Sequence, residues 1–80
     1  MTDDLRRLGF NDHVQLGARQ IHVQTEVVGK NPLKARTMVF EGGQLLDTAQ
    51  RDLDSDPERA GDAVRLQHDD VLERARAGKY

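Results

Sequence analysis

The sequence of 80 residues contains no cysteine and no tryptophan, and its aromatic residues are two phenylalanines and one tyrosine. Without cysteine, neither a disulfide nor a thiolate-bound metal can stabilise the domain. Apolar residues make up 36% of the chain, which is little for a domain of this length, because short chains bury only a small core. We therefore expect self-association to supply part of the missing apolar contact.

The chain also lacks a strong charge of either sign and a long apolar run. Twelve basic and fourteen acidic residues leave a formal net charge of -2, which argues against a nucleic-acid-binding protein that relies on a broad positive field. No apolar run approaches the ~20 residues that span a bilayer, and the first residues, MTDD, lack the basic and then apolar pattern of a secretion signal. With the missing cysteines, these features predict one cytoplasmic domain that does not act at a membrane.

Alternating apolar and polar residues from His13 to Ala49 predict an antiparallel sheet. Two-residue turns at Gly17-Ala18 and Gly42-Gly43, and a turn-rich connection over residues 29–32, divide this stretch into strands. We place the four strands at about residues 12–16, 20–28, 34–41 and 44–50. Residues 1–9 are expected to form a flexible tail before a domain that covers residues 10–80.

The first predicted hairpin has one apolar and one polar face. A turn at Gly17-Ala18 pairs Val14 with Ile21 and His13 with His22, and directly paired residues share a face. The apolar face then carries Val14, Leu16, Ile21, Val23 and Thr25. The polar face carries His13, Gln15, Gln20, His22, Gln24 and Glu26. A one-residue slip would invert both sets, which supports this register.

The second predicted hairpin is apolar on both faces near its turn. Its predicted pairs across Gly42-Gly43 are Glu41 with Gln44, Phe40 with Leu45, Val39 with Leu46, and Met38 with Asp47. We assign the face of Met38, Phe40 and Leu45 to the core, which leaves Val39 and Leu46 without a cover. We expect a second copy of the chain to provide this cover. The alternative is that the N-terminal residues Leu5, Leu8 and Phe10 fold across this face.

A single helix is predicted after the sheet, at about residues 57–77. Ser55 or Asp56 can cap its first N–H groups, Pro57 suits the first helical position, and Gly78 suits the C-terminal cap. The helical stripe that should face the sheet consists of Ala60, Val64, His68, Val71, Leu72 and Ala75. The predicted fold class is thus α+β, a four-stranded antiparallel meander followed by one helix packed on one sheet face.

Three short motifs follow one another along the chain. They are His22-Val23-Gln24-Thr25-Glu26, Thr37-x-Val39-Phe40-x-Gly42-Gly43-x-Leu45-Leu46, and Val64-Arg65-x-Gln67-His68 ahead of a glycine near the C-terminus. Over about residues 10–80 this pattern resembles a small uncharacterised bacterial domain family that has no assigned activity. The resemblance implies a fold and no reaction.

His13 and His22 form the first candidate site. They pair across the first hairpin, and Glu26 lies further along the same face; two imidazoles and a carboxylate can bind a divalent transition metal. A closed site requires four ligands, which the sequence does not clearly supply. A solvated polar face is therefore the interpretation we favour, and we predict neither a metal nor another cofactor.

His68 is the second candidate, because it lies in the apolar stripe of the helix beside Gln67. It can hydrogen-bond a strand residue such as Thr25 or Gln24. One interpretation is a protonation-sensitive latch between helix and sheet. A buried histidine with a structural role is the interpretation that we favour.

The segment Gln24-Thr25-Glu26 is the third candidate. A catalytic Glu26 would require a positioned partner and a pocket. The sequence shows no Ser/His/Asp set, no phosphate-binding glycine loop and no zinc-peptidase helix. We predict that the protein is not an enzyme and takes no small-molecule substrate.

A local basic patch is the fourth candidate, formed by Lys30, Lys34, Arg36 and Arg51. Aromatic residues that would stack on single-stranded nucleic acid do not alternate with these side chains. A nucleic-acid-binding regulator that uses Lys30, Lys34 and Arg36 is the first alternative function. A small metal-binding domain at His13 and His22 is the second.

The function that the sequence favours is a non-catalytic, regulatory protein–protein interaction module. It is expected to form a homodimer and to dock a larger protein. The predicted contact surface lies on the second hairpin and consists of Val39, Phe40, Leu45 and Leu46.

Overall fold

Four strands follow one another in a single antiparallel sheet, and one helix packs on one of its faces. The structure, a computed structural model, describes residues 5–80. Its elements are β1 (Gly9–Leu16), β2 (Arg19–Gly29), β3 (Leu33–Glu41), β4 (Gln44–Asp52) and α1 (Pro57–Arg76). The spatial order β1-β2-β3-β4 is that of the sequence. The predicted α+β meander with one C-terminal helix is confirmed.

The first hairpin has the predicted register. His13 pairs with His22 and Val14 with Ile21, and Gly17 has a φ of 60°, as the first central residue of a type II′ turn requires. Val14, Ile21 and Val23 are buried on the face that α1 covers. This face of the first hairpin therefore forms the core, as the alternation predicts.

The second hairpin presents the opposite face to the core from the one that we predicted. Val39 pairs with Val23 across β2 and β3, so it shares the apolar face of β2, where α1 leaves it only 1% exposed. Met38, Phe40 and Leu45 lie on the other face. The prediction was wrong because the pairing of β3 with β2 decides which face of β3 is buried. The connection between β2 and β3 is longer than two residues, so the sequence does not fix the register of that pairing.

A β-bulge at Leu46 also changes the predicted pairing in β4. Phe40 pairs with Leu45 as predicted, but Val39 pairs with Asp47, so Leu46 is an extra residue without a cross-strand partner. A bulge shifts all later residues by one position relative to the partner strand. Asp47, together with Ala49 and Arg51 further along the strand, consequently lies on the helix-covered side of the sheet.

The N-terminal segment extends the core. Leu5 is only 8% exposed and packs against a cluster that includes Leu53 and Val64, and Leu8 and Phe10 border the same cluster. The predicted tail is therefore wrong for residues 5–9; its first four residues lie outside the described part. Phe10 lies on the same face as Thr25, with which it pairs, so these residues do not cover the opposite sheet face.

The ends of α1 are formed by the residues predicted to cap it. The Asp56 side chain accepts the Glu58 N–H at 3.2 Å. At the other end, Gly78 has a φ of 72°, and the Lys79 N–H donates to the Arg74 carbonyl at 3.1 Å, as in a Schellman motif. No helix within residues 5–80 is both long and apolar enough to cross a membrane.

Helix α1 covers β1, β2 and β3, whereas β4 extends beyond it. All side chains of β4 are exposed except that of Ala49, which is partly buried. The outer strand β4 is therefore largely exposed, although Gln67 Nε2 of α1 donates a hydrogen bond to the Ala49 carbonyl at 3.3 Å.

Candidate functional site

A chain of hydrogen bonds crosses the interface between α1 and the sheet. Gln67 Nε2 donates to Thr37 Oγ1 at 3.0 Å, and Thr37 Oγ1 lies 2.7 Å from Thr25 Oγ1. Thr25 Oγ1 lies 2.7 Å from His68 Nδ1, and His68 Nε2 lies 2.7 Å from Asp12 Oδ2. Five polar side chains are thus joined in one relay, which is buried except at the half-exposed Asp12. The expected contact of His68 with Thr25 is confirmed.

The direction of the relay follows from the chemistry of its two ends. The Gln67 amide nitrogen can only donate and the Asp12 carboxylate can only accept. With neutral His68, each group between them donates to the next, and every hydrogen has an acceptor. A protonated His68 would donate to Thr25 instead, which would leave one of the two threonine hydroxyl hydrogens without an acceptor in the relay. The network is therefore complete when the imidazole is neutral.

The hydroxyl, imidazole and carboxylate of this relay are ordered as in a nucleophile activated by a base. Thr25, however, is only 1% exposed and His68 only 2%, so a substrate cannot reach the hydroxyl group. The arrangement therefore orients α1 on the sheet, and the protonation-sensitive latch stays a prediction.

Sequence reasoning missed Asp12, Thr37 and the role of Gln67 in the relay. A signal was present, because Asp12 lies two residues from the buried Val14, and Thr37 lies two residues from the buried Val39. Polar residues at strand positions that face the core require hydrogen-bond partners. Several polar residues at core-facing positions of one sheet face indicate a hydrogen-bond network, although the sequence does not identify which side chains bond to each other.

The structure brings His13 and His22 together but not the third predicted metal ligand. The two imidazole rings stack at 4.5 Å between centroids, and His22 Nε2 lies 3.1 Å from Asn11 Oδ1. Glu26 instead forms an ion pair with Arg36. Within residues 5–80 there is no group of three or more side chains placed to hold a metal ion.

The predicted basic patch is divided between the two faces of the sheet. Lys34 and Arg36 pair with Asp52 and Gln50 on the open face, whereas Arg51 pairs with Ala35 on the helix side. The charge of Arg36 is neutralised locally by Glu26. Lys30 lies in the exposed turn after β2. These positions do not form one continuous positive surface.

Three of the four predicted contact residues are accessible. Phe40 is partly buried on the open face beside Leu45, which is 50% exposed, and Leu46 in the bulge is 37% exposed. We call Phe40, Leu45 and Leu46 the hairpin patch. Including Val39 in the contact surface was wrong, because α1 already covers this side chain.

An ion pair fixes the end of β3 next to the hairpin patch. Arg19 donates two hydrogen bonds to the Glu41 carboxylate, at 2.8 and 2.9 Å. These bonds, together with the positive charge of Arg19, lower the pKa of Glu41. The pair ties the turn between β1 and β2 to the tip of the second hairpin.

Comparisons with models of known protein families, with curated protein sequences and with solved structures find no match. The similarity of the three sequence motifs to a small bacterial domain family stays a prediction. The function must therefore be argued from the surfaces of this fold.

Proposed function

We propose that this protein is a non-catalytic interaction module that self-associates through its second hairpin. The observation that carries the proposal is the exposure of β4, whose outer edge pairs with no strand among the described residues. An edge strand presents free backbone N–H and C=O groups to any other strand that can pair with them. The hairpin patch adds exposed apolar area at the same place.

The composition of β4 also supports association. The strand extends over nine residues, Gln44–Asp52, and contains neither proline nor lysine, two residues that commonly prevent pairing at sheet edges. Its bulge at Leu46 and its charged residues Asp47 and Arg51 act against pairing, so a partner has to neutralise these charges. Leu45 and Leu46 are two of the three large apolar side chains that are exposed within residues 5–80. Burial of this strand by another chain would therefore satisfy its backbone and remove apolar surface from water.

The other functional classes have less support. The relay hydroxyl is buried, which disfavours catalysis, and the basic side chains are separated, which disfavours a nucleic-acid interface. Docking of a larger protein and a cytoplasmic location are further parts of the proposal. They rest on the small size and the absence of cysteine.

Light scattering on three chains tests the proposal. We expect the wild-type chain to approach twice its mass of 9.0 kDa as concentration rises, and Leu46→Asp to shift this transition to higher concentration, because the introduced carboxylate would need desolvation. Leu66→Asp is the matched control, since Leu66 is 60% exposed but lies on α1, outside the hairpin.

A wild-type mass that stays at 9.0 kDa at millimolar concentration would refute self-association. A dimer that Leu66→Asp weakens and Leu46→Asp leaves intact would place the contact on α1 instead of the second hairpin.

A further inference from the structure

We propose that two copies of the chain join β4 to β4 in antiparallel orientation, about a twofold axis at Ala49, with Asp47 of each copy paired to Arg51 of the other. This inference rests on the proposed self-association and specifies its strand, register and charges. The product is one continuous eight-stranded sheet that carries both helices on the same face.

Symmetry restricts the possible registers. In an antiparallel pair of identical strands related by a twofold axis, one residue must pair with the same residue of the second copy. The reason is that directly paired residues share a face of the sheet. An axis at Ala49 pairs Asp47 with the second copy's Arg51, and Thr48 with the second copy's Gln50. By symmetry each pair occurs twice, so this register contains two ion pairs between the chains.

The neighbouring registers lack this complementarity. An axis at Thr48 places Asp47 opposite the second copy's Ala49. An axis at Gln50 places Ala49 opposite the second copy's Arg51 and Thr48 opposite the second copy's Asp52. Opposite charges across a strand pair stabilise it, so the charges of the regular part of β4 select the axis at Ala49.

Neither charged side chain is held by an opposite charge in the single chain, although Asp47 lies beside the Tyr80 hydroxyl, whose pKa is raised by burial and by the Asp47 charge. Neither Asp47 nor Arg51 forms an ion pair with another described residue. Arg51 borders a groove of about 210 Å³ between β4 and α1. Asp47 accepts the N–H of the adjacent Thr48 at 2.9 Å, so its side chain has to turn to reach the second copy's Arg51.

The other edge of the sheet does not offer the same match. Apart from a histidine, the only charged side chain of β1 is Asp12. It is held by His68 at 2.7 Å, so no twofold register of β1 brings opposite charges together. Helix α1 also packs on β1, whereas its hydrogen bond to β4 runs from Gln67 Nε2 to the Ala49 carbonyl, at 3.3 Å, and leaves the side chains of this strand largely exposed.

Charge reversal at the two positions tests the register by sedimentation equilibrium. Asp47→Arg makes both positions basic and Arg51→Asp makes both acidic, so each variant should self-associate about tenfold more weakly than the wild type. The double variant D47R/R51D restores opposite charges and should regain the wild-type affinity. An equimolar mixture of the two single variants should form a heterodimer, and added salt should weaken the heterodimer.

The outcomes separate this inference from the proposed function. If the wild type dimerises but the single variants associate equally well, or if the double variant and the mixture stay as weak as the single variants, the register is wrong while self-association stands. If the wild type stays a single chain at all concentrations, both are wrong. Circular dichroism shows whether each variant is folded. The mixture of the two single variants restores opposite charges across the interface, so its association also shows that weak association of each single variant is not caused by misfolding.

Discussion

At the scale of single residues, Thr25 is the centre of the buried relay. Its hydroxyl group lies within 2.7 Å of both Thr37 Oγ1 and His68 Nδ1, so it links β3 to α1 through β2. A buried polar group that loses its partner retains the full cost of desolvation, which is larger than the net gain from one hydrogen bond. The relay therefore stabilises the domain only as a complete set.

Thr25→Val tests this dependence. Valine has nearly the shape of threonine, but it leaves His68 Nδ1 and the Thr37 hydroxyl without their partner, so we expect a loss of about 1–3 kcal/mol in the free energy of unfolding. Urea denaturation at fixed chain concentration measures the loss. Thr48→Val, at an exposed position of β4, is the control and should change stability by less than about 0.5 kcal/mol. Equal stability of the two variants would show that the relay contributes nothing.

The Arg19–Glu41 pair predicts a dependence of stability on pH. The hydrogen bonds from Arg19 lower the pKa of Glu41 in the folded chain. Their contribution is fully present above the unfolded-state pKa and is lost as the pH falls through the lowered folded-state pKa.

Glu41→Gln should therefore lower the melting temperature near neutral pH, and the difference from wild type should shrink as the pH falls from about 7 to about 3. Thermal unfolding followed by circular dichroism measures it. Glu73→Gln is the control, because Glu73 is exposed on α1 and has no ion pair with another described residue. A difference between wild type and Glu41→Gln that grows toward acid pH would contradict the assignment.

At the scale of elements, the bulge at Leu46 determines which side chains of β4 face the helix. Before the bulge, Leu45 lies on the open face with Phe40; after it, Asp47 lies on the helix side with Val39. Leu46 is the residue that β4 has in excess of its partner strand. Its removal should regularise the ladder without moving any other residue to the opposite face.

Deletion of Leu46 should therefore give a folded chain with a cooperative thermal transition. Deletion of Met38 removes a residue from the partner strand β3, which has no residue in excess, so it moves Val39 or Thr37 out of the core and should lower the melting temperature far more. The two deletions are matched in length and hairpin. Equal melting temperatures would show that the bulge does not set the register of β4.

The first hairpin and the caps of α1 could be predicted because their signals are local. Gly17 fixes a two-residue turn, and Asp56 caps the residues that directly follow it, so short-range chemistry determines both. The face of the second hairpin could not be predicted in this way, because it depends on the pairing of Val39 with Val23 across a longer connection. The relay was only partly predictable for the same reason, since His68 and Asp12 are 56 residues apart.

At the scale of the whole molecule, the small apolar fraction and the exposed strand β4 both favour self-association. Helix α1 packs on three strands, and the side chains of the fourth strand, β4, stay exposed except for that of Ala49, which is partly buried. A second copy that pairs with β4 would complete the sheet at the edge where the single chain is least protected.

Amide hydrogen exchange at low and high chain concentration tests this central claim most directly. Pairing of β4 with a second β4 should slow exchange of the amides in Gln44–Asp52 as concentration rises, because backbone groups that are free in one chain become hydrogen-bonded in two. The amides of β1, at the other edge, should exchange at the same rate at both concentrations. Unchanged exchange in β4, or protection that appears in β1 instead, would contradict the account.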